Sequence, residues 1–314
     1  MKKQKVIVIC GPTASGKTAL SIELAKKING EIVSCDSMQI YKEMDIGTAK
    51  PTKEEMQEIP HYMINTIFPN ERYSVADYKK DAKKAIREII KKGKVPIIVG
   101  GTGLYVDSLI YEIEYPDIKF DEKYRQELEE QVRKDGLEKL YNKAKKIDPE
   151  AMLKISSNDK KRILRVLEIY KATGKTKTEQ ERKSREKEPE FDYLVYGLNM
   201  PREKLYERIN LRVDIMIKQG LIKEVEEIYK KYNEFPTAMQ GLGYKEVVEY
   251  LEGHLTKEEM IEKIKQETRR YAKRQITWFK RYKESKWFDL DKYDNGEILK
   301  EDILNYIENI FKNV

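Results

Sequence analysis

Cysteine, histidine and tryptophan are scarce in this chain, two of each among 314 residues. Two cysteines do not make the disulfide framework of a small secreted domain, and no Cys/His cluster with metal-ligand spacing exists, which argues against a structural zinc. Cys10 and Cys35 each close a predicted buried strand. They could be neighbours on adjacent parallel strands, but reduced core thiols are the favoured reading. His61 and His254 are far apart in sequence, and a satisfied structural role is expected for both. No apolar run approaches the roughly 20 residues of a membrane span. The stretch behind Met1-Lys2-Lys3 ends at Gly11-Pro12, short of the roughly 7–15 apolar residues of an export signal. The chain is therefore expected in the cytoplasm, with no membrane partner. Internal repeats and low-complexity tracts are also missing.

Apolar residues make up 39% of the chain and charged residues 37%, a balance that suits a sizeable core and long helices with charged outer faces. The net charge of +7 and a pI near 8.9 permit a nucleic-acid partner without requiring one, so clustering of the charge is what matters.

Residues 11–18 spell a phosphate-binding loop: Gly11, Pro12, Thr13, Ala14, Ser15, Gly16, Lys17, Thr18. A strand-like run, Lys5–Cys10, leads into it, and the helical spacing of Leu20, Ile22, Leu24, Ala25 and Ile28 follows. Gly11 and Gly16 let the backbone curl so that consecutive N–H groups face one point. Lys17 adds a mobile charge, and the Thr18 hydroxyl can bind Mg²⁺. The loop is expected to hold a di- or triphosphate.

Over roughly the first 115 residues strands alternate with helices. Strands are expected at Glu31–Cys35, His61–Ile67 and Val95–Val99, and a helix capped by Ser74 and Asp77 runs to about Lys92. Strands this apolar imply an α/β fold: a P-loop NTPase-like parallel sheet with helices on both faces. Past Phe120 the pattern becomes helical and charged, and the tract 171–190 reads as mobile. Phe191–Met200 reads as a strand again, Pro201 opens a helix, and a last strand falls at Lys286–Leu290. The expected organisation is a core domain, residues 1–119 and 191–314, interrupted by a helical insertion domain at 120–190.

Asp36 lies at the carboxyl end of the second strand, where open α/β sheets place ligands. There it could hold Mg²⁺ through water, act as a general base, or merely cap a turn. Ser37, Gln39 and Tyr41 beside it offer hydrogen bonds and a stacking surface for a flat heterocycle. Thr102 sits in a second glycine turn, Gly100–Gly103, evenly balanced between ligand contact and tight turn. Arg162 and Arg165 share a helix face, and Arg208 and Arg212 repeat a basic residue one turn apart. Each pair could reach phosphates or belong to a solvated ion-pair array. The clearest basic patch is residues 269–281, RRYAKRQITWFKR, where aromatics interleave with charge. It suits phosphate-backbone contact, a calmodulin-like or membrane-surface helix being the competing reading.

Taken in order, GPTASGKT (11–18), DSMQIY (36–41), MDIGTAKP (44–51), GGTGLY (100–105), RVD (212–214), GLGYKE (241–246) and KRQITWFKR (273–281) resemble the tRNA dimethylallyltransferases over nearly the whole chain. The resemblance implies transfer of the dimethylallyl group of dimethylallyl diphosphate to N6 of the adenosine 3′ of the anticodon, in tRNAs reading codons that start with U. Diphosphate is released. It makes Asp36 the base, Thr102 a neighbour of the reacting amine, and Lys17 and Arg212 stabilisers of the leaving group, with Mg²⁺ on Thr18. It assigns tRNA contacts to Asp36, Ser37, Met38, Gln39, Thr102, Arg125, Lys161, Arg162, Arg165, Arg274 and Lys280, with Gln39 reading the splayed-out base. It also implies a monomer that grips the anticodon stem-loop with its insertion domain. The chain departs from many relatives in having Lys161-Arg162 where they have Gln-Arg, so a base contact by that Gln does not carry over. A C-terminal zinc finger like that of eukaryotic relatives is missing, which points to a bacterial-type enzyme. The rival readings are an ATP-dependent small-molecule kinase, a prenyltransferase acting on free AMP or ADP, and an RNA-binding protein without catalysis.

Overall fold

A computed structural model describes residues 3–115, 121–184, 186–290 and 296–313. They divide into two compact units, Met1–Val106 with Glu190–Val314, and Asp107–Pro189.

The first unit opens with β1 (Lys5–Cys10), α1 (Lys17–Ile28), β2 (Gly30–Ser34), the one-turn α2 (Lys53–Met56), β3 (His61–Tyr62), α3 (Val75–Lys91), β4 (Val95–Gly100) and the start of α4 (Gly103–Ile110), whose residues from Asp107 on belong to the second unit. The helices α5 (Glu122–Asp135), α6 (Leu137–Ile147), α7 (Pro149–Met152), α8 (Lys160–Thr173) and α9 (Lys177–Ser184) belong to the second unit. The first unit resumes with β5 (Asp192–Asn199), α10 (Arg202–Gln219), α11 (Leu221–Lys231), α12 (Tyr244–Leu251), α13 (Lys257–Phe279), β6 (Lys286–Asp289) and α14 (Gly296–Asn313).

The six strands form one sheet in the order β3-β2-β4-β1-β5-β6, and every pairing is parallel. A parallel sheet must be covered on both faces, which is why β1 and β4 are nearly unbroken apolar runs and every residue of β2 is buried. On one face Leu24 of α1 and Ile303 and Ile307 of α14 pack with Ile7, Ile9, Ile32 and Ile97. Tyr78 of α3 is fully buried, donates to Ser34 O at 3.2 Å and stacks on Tyr105 at 4.0 Å. The α3 start carries the expected reciprocal cap between Ser74 and Asp77. A second core joins Ile40, Tyr41 and Met44 to α10–α13 through Val213, Leu221, Tyr244 and Ile264. The helical unit has its own core around Leu128, Leu140, Ile163, Leu164 and Leu167.

The order of strands is what builds a site. Because β4 lies between β1 and β2, the carboxyl ends of these three strands are neighbours, and the segments leaving them (Gly11 onward, Cys35-Asp36, Gly101-Thr102) adjoin.

For the cysteines the favoured reading holds: both thiols are buried and neither is in a disulfide, β4 separates β1 from β2 so that they are not on adjacent strands, and burial pushes Cys10 up to about 12. Two expectations need correcting. The third strand stops at Tyr62, because Met63 (φ 63°) and Asn65 (φ 52°) turn into the left-handed region. The chain then pairs elsewhere, with Thr66 N donating to Ile40 O at 2.7 Å and a bridge between Tyr41 and Ile67. The tract expected to be mobile carries the end of α8 and the whole of α9. Thr176 and Glu179 exchange capping bonds, and the buried Asp148 accepts from Thr178 N at 2.9 Å and from its hydroxyl at 2.6 Å. Polar capping supplied the order that apolar residues did not.

Candidate active site

The loop after β1 has the conformation its glycines permit. Gly11 (φ 149°) passes so close to β5 that a Cβ would sit 2.8 Å from Leu198 O, and Gly16 (φ 87°) turns the chain into α1. The α1 start has no side-chain cap and no acidic residue in its first turn, so its N–H groups are open to an anion. Lys17 Nζ donates back to Pro12 O at 2.6 Å. Not every loop N–H is free for a phosphate: Thr13 N already donates to Gln275 Oε1 at 2.8 Å.

Asp36 continues from β2. Its Oδ1 accepts from Met38 N at 2.8 Å and Gln39 N at 3.4 Å, leaving Oδ2 for another partner. Burial raises its pKa above the ordinary carboxylate value, although the Met38 and Gln39 N–H groups and Lys17 pull the other way. The Thr102 hydroxyl accepts from Ser37 N at 3.0 Å and lies 3.3 Å from Ser37 Oγ, while Thr102 N donates to Cys35 O at 3.2 Å. Thr102 is thus tied to the residues on either side of Asp36.

Positive charge converges from α10. Arg212 donates to Thr13 Oγ1 at 3.5 Å, and its pKa is lowered by burial and then by the neighbouring Arg208, with Glu55 opposing. Lys17 is lowered to about 8, by burial first and the Arg212 charge second. Cations crowded together and pushed toward neutrality mark a place that gains from a bound anion.

Two cavities meet here. The larger, about 760 Å³, is lined by Thr13–Thr18 along with Asp36, Arg208, Arg212, Tyr271 and Gln275. The smaller, about 310 Å³, is lined by Ser37, Met38, Lys245, Thr268 and Arg274 among others. Thr13, Asp36, Arg212 and Tyr271 belong to both walls. Among the described residues no group of three or more His, Cys, Asp or Glu side chains could hold a metal. Thr18, which is exposed, and Asp36 are among the oxygen donors that line the larger cavity, and donors of this kind fit a Mg²⁺ that keeps several of its waters.

The other predicted residues fall into two groups. In the first unit, the Gln39 amide accepts from Ser34 Oγ at 3.1 Å and donates toward Thr48 O and Ala49 O, both at 3.3 Å. It holds the 44–51 loop, and reading a base would require exchanging those bonds. Arg274 is exposed over the Tyr271 ring, and Lys280 is exposed at the end of α13. In the helical unit Lys161, Arg162 and Arg165 are exposed on α8, whereas Arg125 is ion-paired with Glu129 and Glu168, both at 2.9 Å.

Sequence reasoning passed over three residues. Gln275 and Tyr271 lay inside a tract read only for charge, although their i, i+4 spacing among buried positions was a signal. Glu224 accepts from Asp45 N (2.9 Å), Ile46 N (2.7 Å), Gly47 N (3.1 Å) and Tyr244 Oη (2.6 Å), clamping the loop that lines the larger cavity. Nothing in its local sequence marks it.

Fold and site together define a phosphate-loop α/β enzyme, with the loop opening at the carboxyl edge of a parallel sheet. The family model described as IPP transferase matches residues 39–282, and the chain belongs to that family, the tRNA dimethylallyltransferases. A protein named tRNA dimethylallyltransferase from Caldanaerobacter subterraneus subsp. tengcongensis is 52% identical over 306 residues, 96% of this chain and 97% of that relative. One from Clostridioides difficile is 48% identical over 313 residues, covering 99% and 100%. The crystal structure of the full-length tRNA isopentenylpyrophosphate transferase from Bacillus halodurans superposes with a TM-score of 0.73 at 43% identity, over 99% of this chain and 98% of that one. A eukaryotic dimethylallyltransferase acting on tRNA gives 0.83 at 33% identity, over 99% and 80%. No helix among the described residues is long and apolar enough to cross a membrane.

Proposed function

We propose that this chain transfers the dimethylallyl group of dimethylallyl diphosphate to N6 of the adenosine 3′ of the anticodon, in tRNAs reading codons that start with U, and releases diphosphate. The observation that carries the reading is the position of Asp36, on the wall common to a cavity lined by the phosphate loop and a cavity lined by Ser37, Met38 and Arg274. A group there touches donor and acceptor at once.

The chemistry follows from the groups present. The allylic C–O bond breaks and its electron pair leaves with the diphosphate. The open N–H groups at the start of α1, with Lys17 and Arg212, stabilise that charge as it builds. The N6 nitrogen forms the new bond and gives up a proton to Asp36, whose raised basicity suits the task. Thr102, fixed by Ser37 N, supports the amine. Mg²⁺ held through Thr18 would add positive charge on the leaving group. A base in an anticodon loop is already partly free of its stack, which lowers the cost of drawing it into a pocket. Arg274 and Lys280 on α13 and Lys161, Arg162 and Arg165 on α8 hold the RNA backbone, with Arg125 supporting α8 through Glu168. The protein acts as a cytoplasmic monomer in this reading.

The test is incubation with labelled dimethylallyl diphosphate, Mg²⁺ and unmodified tRNA, then nuclease digestion and nucleoside chromatography. Label on the adenosine 3′ of the anticodon is expected. Label on free AMP, or turnover of ATP with none on tRNA, would refute the substrate assignment.

A further inference from the structure

Gln275 and Tyr271 stand one turn apart on α13, and the phosphate-loop motif accounts for neither. Gln275 is 5% exposed and spends both ends of its amide on backbone: Oε1 accepts from Thr13 N at 2.8 Å, and Nε2 donates to Gly101 O at 2.9 Å. The orientation is forced, since a flipped amide would set donor against donor and acceptor against acceptor. Gly101 admits the contact, because a Cβ there would meet Nε2 at 2.1 Å. The Tyr271 hydroxyl lies against the side chains of Thr102 and Gln275. Hydrogen bonds therefore link the diphosphate loop, through one side-chain amide, to the turn that carries Thr102.

The sheet alone does not fix that separation. The β1–β4 ladder ends at the pair Cys10 and Gly100, so Thr13 and Thr102 both lie beyond it. We propose that Gln275, with Tyr271 beside it, is a positioning residue that sets the distance between the bound donor and the acceptor amine. This rests on the prenyl-transfer reading above. Group transfer is steeply sensitive to such spacing, and a displacement of about 1 Å can cost about 10² in rate. Gln275 does this without touching the reacting atoms, so its loss leaves substrate contacts in place.

The experiment compares Gln275→Glu, Gln275→Met and the exposed control Gln266→Ala, on the same helix but outside the 269–281 patch, in the full chain, by steady-state and single-turnover prenylation of tRNA. An ionised glutamate accepts from Thr13 N but repels Gly101 O; the protonated acid restores both bonds. The expected result is a kcat lower by about 10² in both Gln275 variants, with both KM values and the control near wild type. The deficit of Gln275→Glu, taken as a ratio to wild type, recovers as pH falls through the pKa of the new carboxyl, while that of Gln275→Met does not. If Gln275→Met fails to fold, the pH recovery of Gln275→Glu decides alone. Variants with wild-type kcat, a loss confined to KM, or a Gln275→Glu deficit independent of pH would overturn the proposal. A wild-type protein that prenylates no tRNA removes the functional reading and this proposal with it, a different outcome from an active wild type with indifferent variants.

Discussion

Above about pH 8 the free protein is expected to lose its grip on the diphosphate of the donor, because Lys17 sheds its proton there. Burial pulls this ammonium down from 10.5 to about 8, and the Arg212 charge adds to the effect, while Asp36 and Cys10 oppose it. Only the protonated form attracts the anion. A bound diphosphate raises the pKa again, so kcat, which reports the complex, should hold to higher pH than kcat/KM, which reports the free protein. With one proton in control, kcat/KM for the donor falls about tenfold per pH unit beyond the break. The assay is initial-rate prenylation from neutrality to about two units above the break, run in parallel on Lys17→Arg, whose guanidinium keeps its charge throughout. That variant is slower but lacks the break, and ionisation of the substrate affects both proteins alike, so their ratio isolates Lys17. Deprotonation of Lys17 does not itself destabilise the fold. A lysine whose folded pKa is depressed leaves the native state with fewer protons than the unfolded chain between about 8 and 10.5, so its contribution to stability improves as pH rises across that window. A wild-type kcat/KM flat through the range, or a break shared by Lys17→Arg, would refute the reasoning.

Asp36→Asn should lower kcat by about 10²–10⁴ with tRNA affinity little changed, and should abolish the acid limb of the rate profile, which in the wild type lies above the usual carboxylate range; an unchanged rate removes Asp36 as the base. Arg274→Ala and Lys280→Ala should each weaken tRNA binding and reduce its salt slope by about one, so filter-binding titrations at several salt concentrations with slopes equal to wild type would place α13 away from the RNA. Each Glu224 oxygen accepts two bonds, Oε2 from Asp45 N and Ile46 N and Oε1 from Gly47 N and the Tyr244 hydroxyl, so Glu224→Gln sets a donor against two of the four. It should cost about 1–3 kcal/mol and raise the KM for the donor, read by thermal melting and initial rates; a variant with wild-type melting and KM would show that the clamp is dispensable.

The parts of the site that were legible in the sequence are those whose geometry is local. A phosphate loop is defined by glycines a few residues apart, and Gly11 and Gly16 take the positive φ values that the motif requires. Asp36 and Thr102 could be named because each directly follows an apolar strand, and strand ends are where an open sheet keeps its ligands. Their meeting was a topological fact that no local pattern contains: it depends on β4 entering between β1 and β2. The same insertion separated the two cysteines. The third strand failed for the opposite reason, since its apolar residues continue while the backbone leaves the β region at Met63.

Gln275 shows what a sequence can still offer once a contact is long-range. Thr13 is 262 residues away from it, and no spacing rule spans that. Yet α13 buries Met260, Ile264, Thr268, Ala272, Gln275 and Phe279, a stripe with the three- and four-residue steps of a helix face. Arg270, Lys273, Arg274 and Lys280 lie off that stripe, exposed. A glutamine on a buried stripe costs stability unless both halves of its amide find partners. Helix and sheet interiors have none to spare, because their N–H and C=O groups are already paired. The partners must then be backbone groups of irregular segments, one donor and one acceptor, and in a phosphate-loop protein the irregular segments that face the core are the loops that hold the ligand. A polar residue in phase with a buried helix face is therefore a pointer toward the active site, and reading residues 269–281 for charge alone hid it.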